Sequence, residues 1–156
     1  MSAALAPPFI VASLVLCVSG ALKLRSSGAA MRALGVGEIA LGTACAVHPT
    51  RALAVALAVV YTLFATVAFG LMRRRAACGC FGDNDFPVTL AHVIASELLG
   101  TLALVTAVTG PLGLGWVLER PAPQVVVLLV GIAGAVYASV LVYTVVPRAW
   151  AAWGAG

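Results

Sequence analysis

Charge is the scarcest property of this 156-residue sequence: nine Lys and Arg and five acids make only 9% of residues charged. Soluble domains carry roughly 25%. Aromatic residues are also few, at 7%, and there are four cysteines. Against these shortages, 63% of residues are hydrophobic, and the mean hydropathy is +1.12. A soluble fold of this length exposes too much surface to hide so many apolar side chains. Soluble enzyme, disordered tail, fibrous chain and nucleic-acid binder are therefore excluded. The net charge of +4 is too small and too scattered for a phosphate-binding surface. The composition is that of an integral protein of the lipid bilayer, and its few polar residues carry most of the information.

A spanning helix needs about 20 mostly apolar residues. Five segments meet this length or nearly so: Pro7–Leu24; the stretch between Arg32 and Arg51, with its apolar part at Ala33–Val47; Ala52–Met72; Val88–Gly110; and Gln124–Val146. The reading is an all-α, polytopic transmembrane bundle of four core helices plus a fifth at the carboxyl end. A four-helix domain over 1–110 is followed by a loop and the fifth helix over 111–156. Thr50 is placed to cap the third helix. Trp116, in the Gly- and Pro-rich segment 110–123, suits the membrane interface. Abundant Gly and Ala within the spans suit close helix packing in lipid. Residues 1–8 hold no Lys or Arg, and no small residue directly precedes Cys17. Neither a secretory signal nor a lipoprotein cleavage site is expected, so the first span is read as retained.

Basic residues gather in cytoplasmic loops. With five spans, Arg51 and Arg120 fall on the amino-terminal side, and Lys23, Arg25, Arg32, Arg73, Arg74, Arg75 and Arg148 on the other. The tally puts the amino terminus outside and the loop between spans three and four inside.

That loop, residues 73–87, holds the most informative segment, Cys78-Gly79-Cys80-Phe81-Gly82. Gly79 removes a Cβ between the two cysteines and permits the tight backbone a small ring demands. A disulfide across so short a loop is strained and therefore comparatively easy to reduce. Arg73–Arg75 upstream favour the thiolate, the attacking species, while Asp83 and Asp85 oppose it. The residues point to thiol–disulfide exchange. Two alternatives stand beside it. Cys78 and Cys80 could bind zinc or copper(I) together with His92 or His48, although the spacing matches no standard structural zinc pattern. Or the segment is a Gly-rich turn whose cysteines act as small hydrophobes.

CGCFG at 78–82, followed by Pro87-Val88-Thr89 and by His92 opening the next helix, resembles the MauE family of methylamine utilisation membrane proteins, related to DoxX-like proteins. Ser19-Gly20 with Lys23, and Glu38 with Gly42, support the likeness, which covers residues 9–110. The resemblance implies a part in maturing methylamine dehydrogenase, alongside a thioredoxin-like partner, with Cys78 and Cys80 as the redox pair acting on a client enzyme. Electrons would need a source or sink, for which a membrane quinone is the candidate cofactor. No resident metal is implied. Whether the chain is itself an oxidoreductase stays open. The rival readings are a non-catalytic assembly factor and a small metal-handling protein.

Ionisable residues inside a span are costly and are functional candidates by default. Lys23 ends the first span and Glu38 lies within the second, so the hairpin lets them form an ion pair, either as structure or as a polar floor beneath the cysteine loop. Glu97, near mid-depth in the fourth span, has no evident partner in sequence and is read as a buried, neutral, hydrogen-bonded carboxyl, with proton relay or contact to a quinone headgroup as the alternative. His92 is the candidate base for a thiol, against a plain structural role. Five residues apart, about 500° around the helix, His92 and Glu97 do not share a face. Cys17 and Cys45 are read as buried, inert thiols.

Overall fold

The computed structural model describes residues 2–26, 28–74, 88–146 and 149. They form helices α1 (Ser2–Lys23), α2 (Ala29–Val47), α3 (Arg51–Arg73), α4 (Leu90–Thr109), α5 (Leu114–Leu118) and α6 (Ala122–Thr144). No strand occurs among the described residues. Five of the helices, all but α5, are long and apolar enough to cross a membrane. The molecule is a helical bundle of the multi-pass membrane type.

Several boundaries differ from the sequence reading for identifiable reasons. Helix α1 starts at Ser2 and carries Pro7 and Pro8 within it. The two prolines lie close enough to its start that only the bonds of the second turn are lost. Helix α2 begins at Ala29 rather than beyond Arg32, so Arg32 sits in its first turn. Helix α3 begins after Thr50, whose side chain accepts a hydrogen bond from the Leu53 N–H at 3.2 Å, as the sequence suggests. Helix α4 begins two residues late because Thr89 is its cap. The five-residue α5 is absent from the sequence reading: so short a helix, preceded by Gly113 and containing Gly115, gives no periodic signal.

Helices α1 and α2 make one tight antiparallel hairpin, and α3 and α4 make a second. Helix α6 lies against α1 and α4, and α5 bridges α6 and α2. The central apolar cluster draws Phe9, Ala12 and Leu16 from α1, Cys45 from α2, Leu57 and Tyr61 from α3, and Ala103 and Ala107 from α4. A second cluster joins Ile10, Val11 and Val15 of α1 to Val117 of α5 and to Ile132 and Tyr143 of α6. Only Ile132 and Tyr143 of α6 are buried, so the fifth long helix is peripheral and four helices make the core.

Lipid tails are as apolar as leucine, so these helices associate by close packing and buried hydrogen bonds rather than by expulsion of water. The α1–α2 crossing shows both. A Cβ on Gly42 would stand 2.5 Å from the Ser13 carbonyl oxygen and 2.6 Å from Cys17 Sγ. A Cβ on Gly20 would stand 2.5 Å from the Gly35 carbonyl oxygen. Glycine at 20 and 42 therefore lets the backbones touch within the chain. Across the bundle, Tyr61 Oη donates to the Ala12 carbonyl at 2.6 Å, tying the two hairpins together.

Candidate functional site

The close crossing of α1 and α2 delivers Lys23 to Glu38. A lysine at the end of a membrane helix usually extends outward to water. Lys23 instead turns back along α1, following the tilt of helical side chains toward the amino terminus. Its Nζ donates to Ser19 Oγ at 2.6 Å and to Glu38 Oε2 at 2.8 Å. The same nitrogen lies 2.8 Å from Glu38 Oε1. The two side chains are each only 2% exposed. Oε1 accepts no hydrogen bond among the described residues, so the ion contact with Lys23 is what compensates its burial. Phe64 of α3 adds its ring face 5.2 Å from Nζ, an arrangement that favours a desolvated cation. The ion pair expected from the hairpin is thus present, and it is completed by Phe64, which the sequence reading omits, and by Ser19, which that reading names only for the family likeness. Ser19 carried a signal, since it stands four residues before Lys23 on the same helical face.

Because Lys23 is buried in an ion pair, it does not contribute a loop charge, and it leaves the orientation tally. The orientation expected from the sequence then rests on six basic residues against two.

His92 lies at the same end of the bundle, in the first turn of α4. Its Nδ1 accepts the Thr89 N–H at 3.3 Å and is 3.1 Å from Thr89 Oγ1. Together with the reciprocal bond, in which the His92 backbone N–H donates to the Thr89 side chain, this makes a capping box with histidine in the usual Glu or Gln position. Its ring meets Tyr143 of α6 edge to face, with centroids 5.7 Å apart. Tyr143 Oη in turn lies 3.0 Å from Ser96 Oγ. The ring therefore fixes the start of α4 and the end of α6, which favours the structural role over that of a base.

His48, the other histidine of the metal-binding alternative, caps the far end of α2. It precedes Arg51, and Arg73 closes α3 about 33 Å further along the helix axis. His48 and His92 are thus at opposite ends of the bundle, and of the two only His92 is at the end where Arg74 and Val88 lie. No cluster of three His, Cys, Asp or Glu exists among the described residues. Cys17 and Cys45 are free thiols. Cys17 Sγ lies 3.8 Å from both the Ile39 carbonyl and Thr43 Oγ1, and Cys45 Sγ lies 3.5 Å from the Leu53 carbonyl.

Glu97 corrects the sequence reading. It is exposed on the outer face of α4 and not buried in the bundle. The buried face of α4 is Ser96, Gly100, Ala103, Thr106 and Ala107, and one residue of helix rotates Glu97 about 100° away from Ser96.

Cys78, Gly79, Cys80, Phe81 and Gly82 lie outside the described residues. The described residues on either side of them are Arg74, the cap of α3, and Val88, just before Thr89, the cap of α4. Val88 packs on Ala68, with Leu71 and Met72 of α3 alongside. The Arg73 guanidinium stacks on Phe69 at 4.6 Å.

No protein-family model, curated protein or solved structure matches the chain.

Proposed function

We propose that the chain is a redox protein of the cell membrane, of MauE type, which exchanges thiols and disulfides through Cys78 and Cys80 in support of a partner enzyme's maturation. The observation that carries this reading is the CGCFG segment itself, set between two spanning helices. Two features of the surroundings support it. The segment is flanked by the basic end of α3, where positive charge favours a thiolate. And Lys23, Glu38 and His92 all fall in the half of the bundle nearest Arg74 and Val88, the described residues on either side of the segment, as a polar floor beneath it requires.

The chemistry is a two-step exchange. A thiolate of a thioredoxin-like partner attacks one sulfur of the Cys78–Cys80 disulfide, forming a mixed disulfide and releasing the other cysteine as thiolate. The partner's second thiolate then attacks its own sulfur of the mixed disulfide. The partner leaves as a disulfide and the pair as a dithiol, with two electrons moved. The reverse sequence oxidises the pair. A membrane quinone that takes up two electrons and two protons would reset it, and a methylamine dehydrogenase-like enzyme is the client the resemblance suggests.

The test is exchange between the full chain in lipid nanodiscs and a purified thioredoxin-like protein. Cys17 and Cys45 are changed to serine beforehand, so that only Cys78 and Cys80 can react. The expected result is stoichiometric oxidation or reduction of the partner, one disulfide per chain. A folded chain that leaves the partner's redox state unchanged in both directions contradicts the proposal and leaves the assembly-factor reading.

A further inference from the structure

Glu97 stands on the exposed outer face of α4, a helix long and apolar enough to cross a membrane. Its neighbours on the outer face of α4 are Ile94, Leu98, Leu104 and Val108, between 51% and 74% exposed. Thr101 is exposed one turn further along. Beside them on α3, Thr62 and Thr66 are exposed as well. The contact of Gly100 with Tyr61 and Thr62 fixes the register of the two helices. Glu97 is seven residues from the start of α4 and Thr66 seven from the end of α3, each about 10.5 Å from that end. Thr101 and Thr62 are each eleven residues in, about 16.5 Å. The patch thus has two polar levels within an apolar face.

Hydroxyls in membrane helices can satisfy themselves on the carbonyl four residues back. Thr66, Thr106, Ser139 and Thr144 all do so here, at 2.8 Å. Thr62 and Thr101 make no such bond, and Glu97 has no partner among the described residues. Three polar side chains on one face are left to whatever covers it. In hydrocarbon such groups are costly unless paired.

The geometry points to a second copy of this chain as the occupant, docked through the outer face of α3 and α4. Copies inserted in the same direction can form a closed pair only about a two-fold axis along the membrane normal. Such an axis preserves depth. It therefore brings Glu97 of one copy to the height of Thr66 of the other, and Thr101 to the height of Thr62. The carboxyl meets a hydroxyl, and the two unbonded hydroxyls meet each other, twice over. The face is self-complementary at both levels. Among the described residues no cation serves this carboxyl: Lys23 is engaged with Glu38, and the described arginines lie near helix ends. This inference is independent of the redox proposal.

The test is resonance energy transfer between donor- and acceptor-labelled full chains in phospholipid vesicles, measured across protein-to-lipid ratios. The wild type should show a saturating monomer–dimer curve. Interhelical hydrogen bonds of the usual strength, present twice in a symmetric pair, predict that Glu97→Leu weakens association about tenfold or more. Glu97→Gln, which keeps donor and acceptor groups, should stay within about threefold. Helix content and thermal midpoint of monomeric Glu97→Leu should match wild type, since the side chain is exposed. A wild type that stays monomeric at every density overturns the inference, and would leave a helix of some other protein as the occupant. Equal association of wild type and Glu97→Leu overturns it too.

Discussion

Replacing Lys23 with methionine should destabilise the bundle by about 3–5 kcal/mol, the usual cost of stripping a buried charge of its partner. The substitution keeps the length of the aliphatic stem and removes only the cation. It leaves Glu38 buried with both oxygens unsupported, because Nζ is the group in contact with each at 2.8 Å. Ser19 Oγ and the face of Phe64 lose their contact with the ammonium as well. The effect should reverse when the second charge is also removed. A Lys23→Met, Glu38→Leu protein has no charge to compensate, and a buried pair replaced by apolar residues of similar volume is often neutral. Unfolding of the single and double variants by denaturing detergent measures the coupling. Additive losses in the double variant would show that the two charges do not act as a pair. Ser19→Ala should cost less, about 1 kcal/mol, because Lys23 keeps Glu38.

The second large effect concerns the cysteines. Changing Cys78 and Cys80 to serine, singly or together, should reduce exchange with a thioredoxin-like protein to the uncatalysed background. Residues that act as one chemical unit give losses that do not add, so each single variant should be as inactive in turnover as the double. The singles differ from the double in one respect. The retained thiol can still be captured, and without the resolving thiolate the mixed disulfide accumulates. A covalent adduct with the partner in one single variant, visible on non-reducing gels and absent from the double, is the expected result. Full exchange in Cys80→Ser would remove the pair from the mechanism. Binding and maturation of a partner enzyme that both survive in the double variant would favour the assembly-factor reading.

The spans were readable because an apolar run of about 20 residues has few alternatives. The Lys23–Glu38 pair was readable because the two residues are among very few charges in spans joined by a short turn. The orientation of Glu97 was not. Helix α4 is apolar nearly all round, so its hydrophobic pattern does not say which side faces inward. The signal was in size instead: Ser96, Gly100, Ala103 and Ala107 form a stripe of small residues at helical spacing, and that stripe is the packed face. Glu97 stands outside it. His92 shows a different limit. Histidine in a helix's first turn reads as either a candidate base or a structural group, and the bonds to Thr89 and the contact with Tyr143 that make it a cap are not visible in the sequence. Tyr61 could be placed on a packed face from its spacing, but its bond to the Ala12 carbonyl depends on how the two hairpins meet.

The central claim is that Cys78 and Cys80 form a reactive redox pair. The most direct test is differential alkylation of the resting protein in native membranes, followed by mass spectrometry of the peptide that carries both cysteines. One reagent is applied before reduction and a second, of different mass, after mild reduction. The account predicts that both cysteines take only the second reagent in the oxidised protein, and both the first after treatment with a reduced thioredoxin-like protein. Two thiols that take the first reagent at rest, and still do so after exposure to an oxidised thioredoxin-like protein or an oxidised quinone, would contradict it.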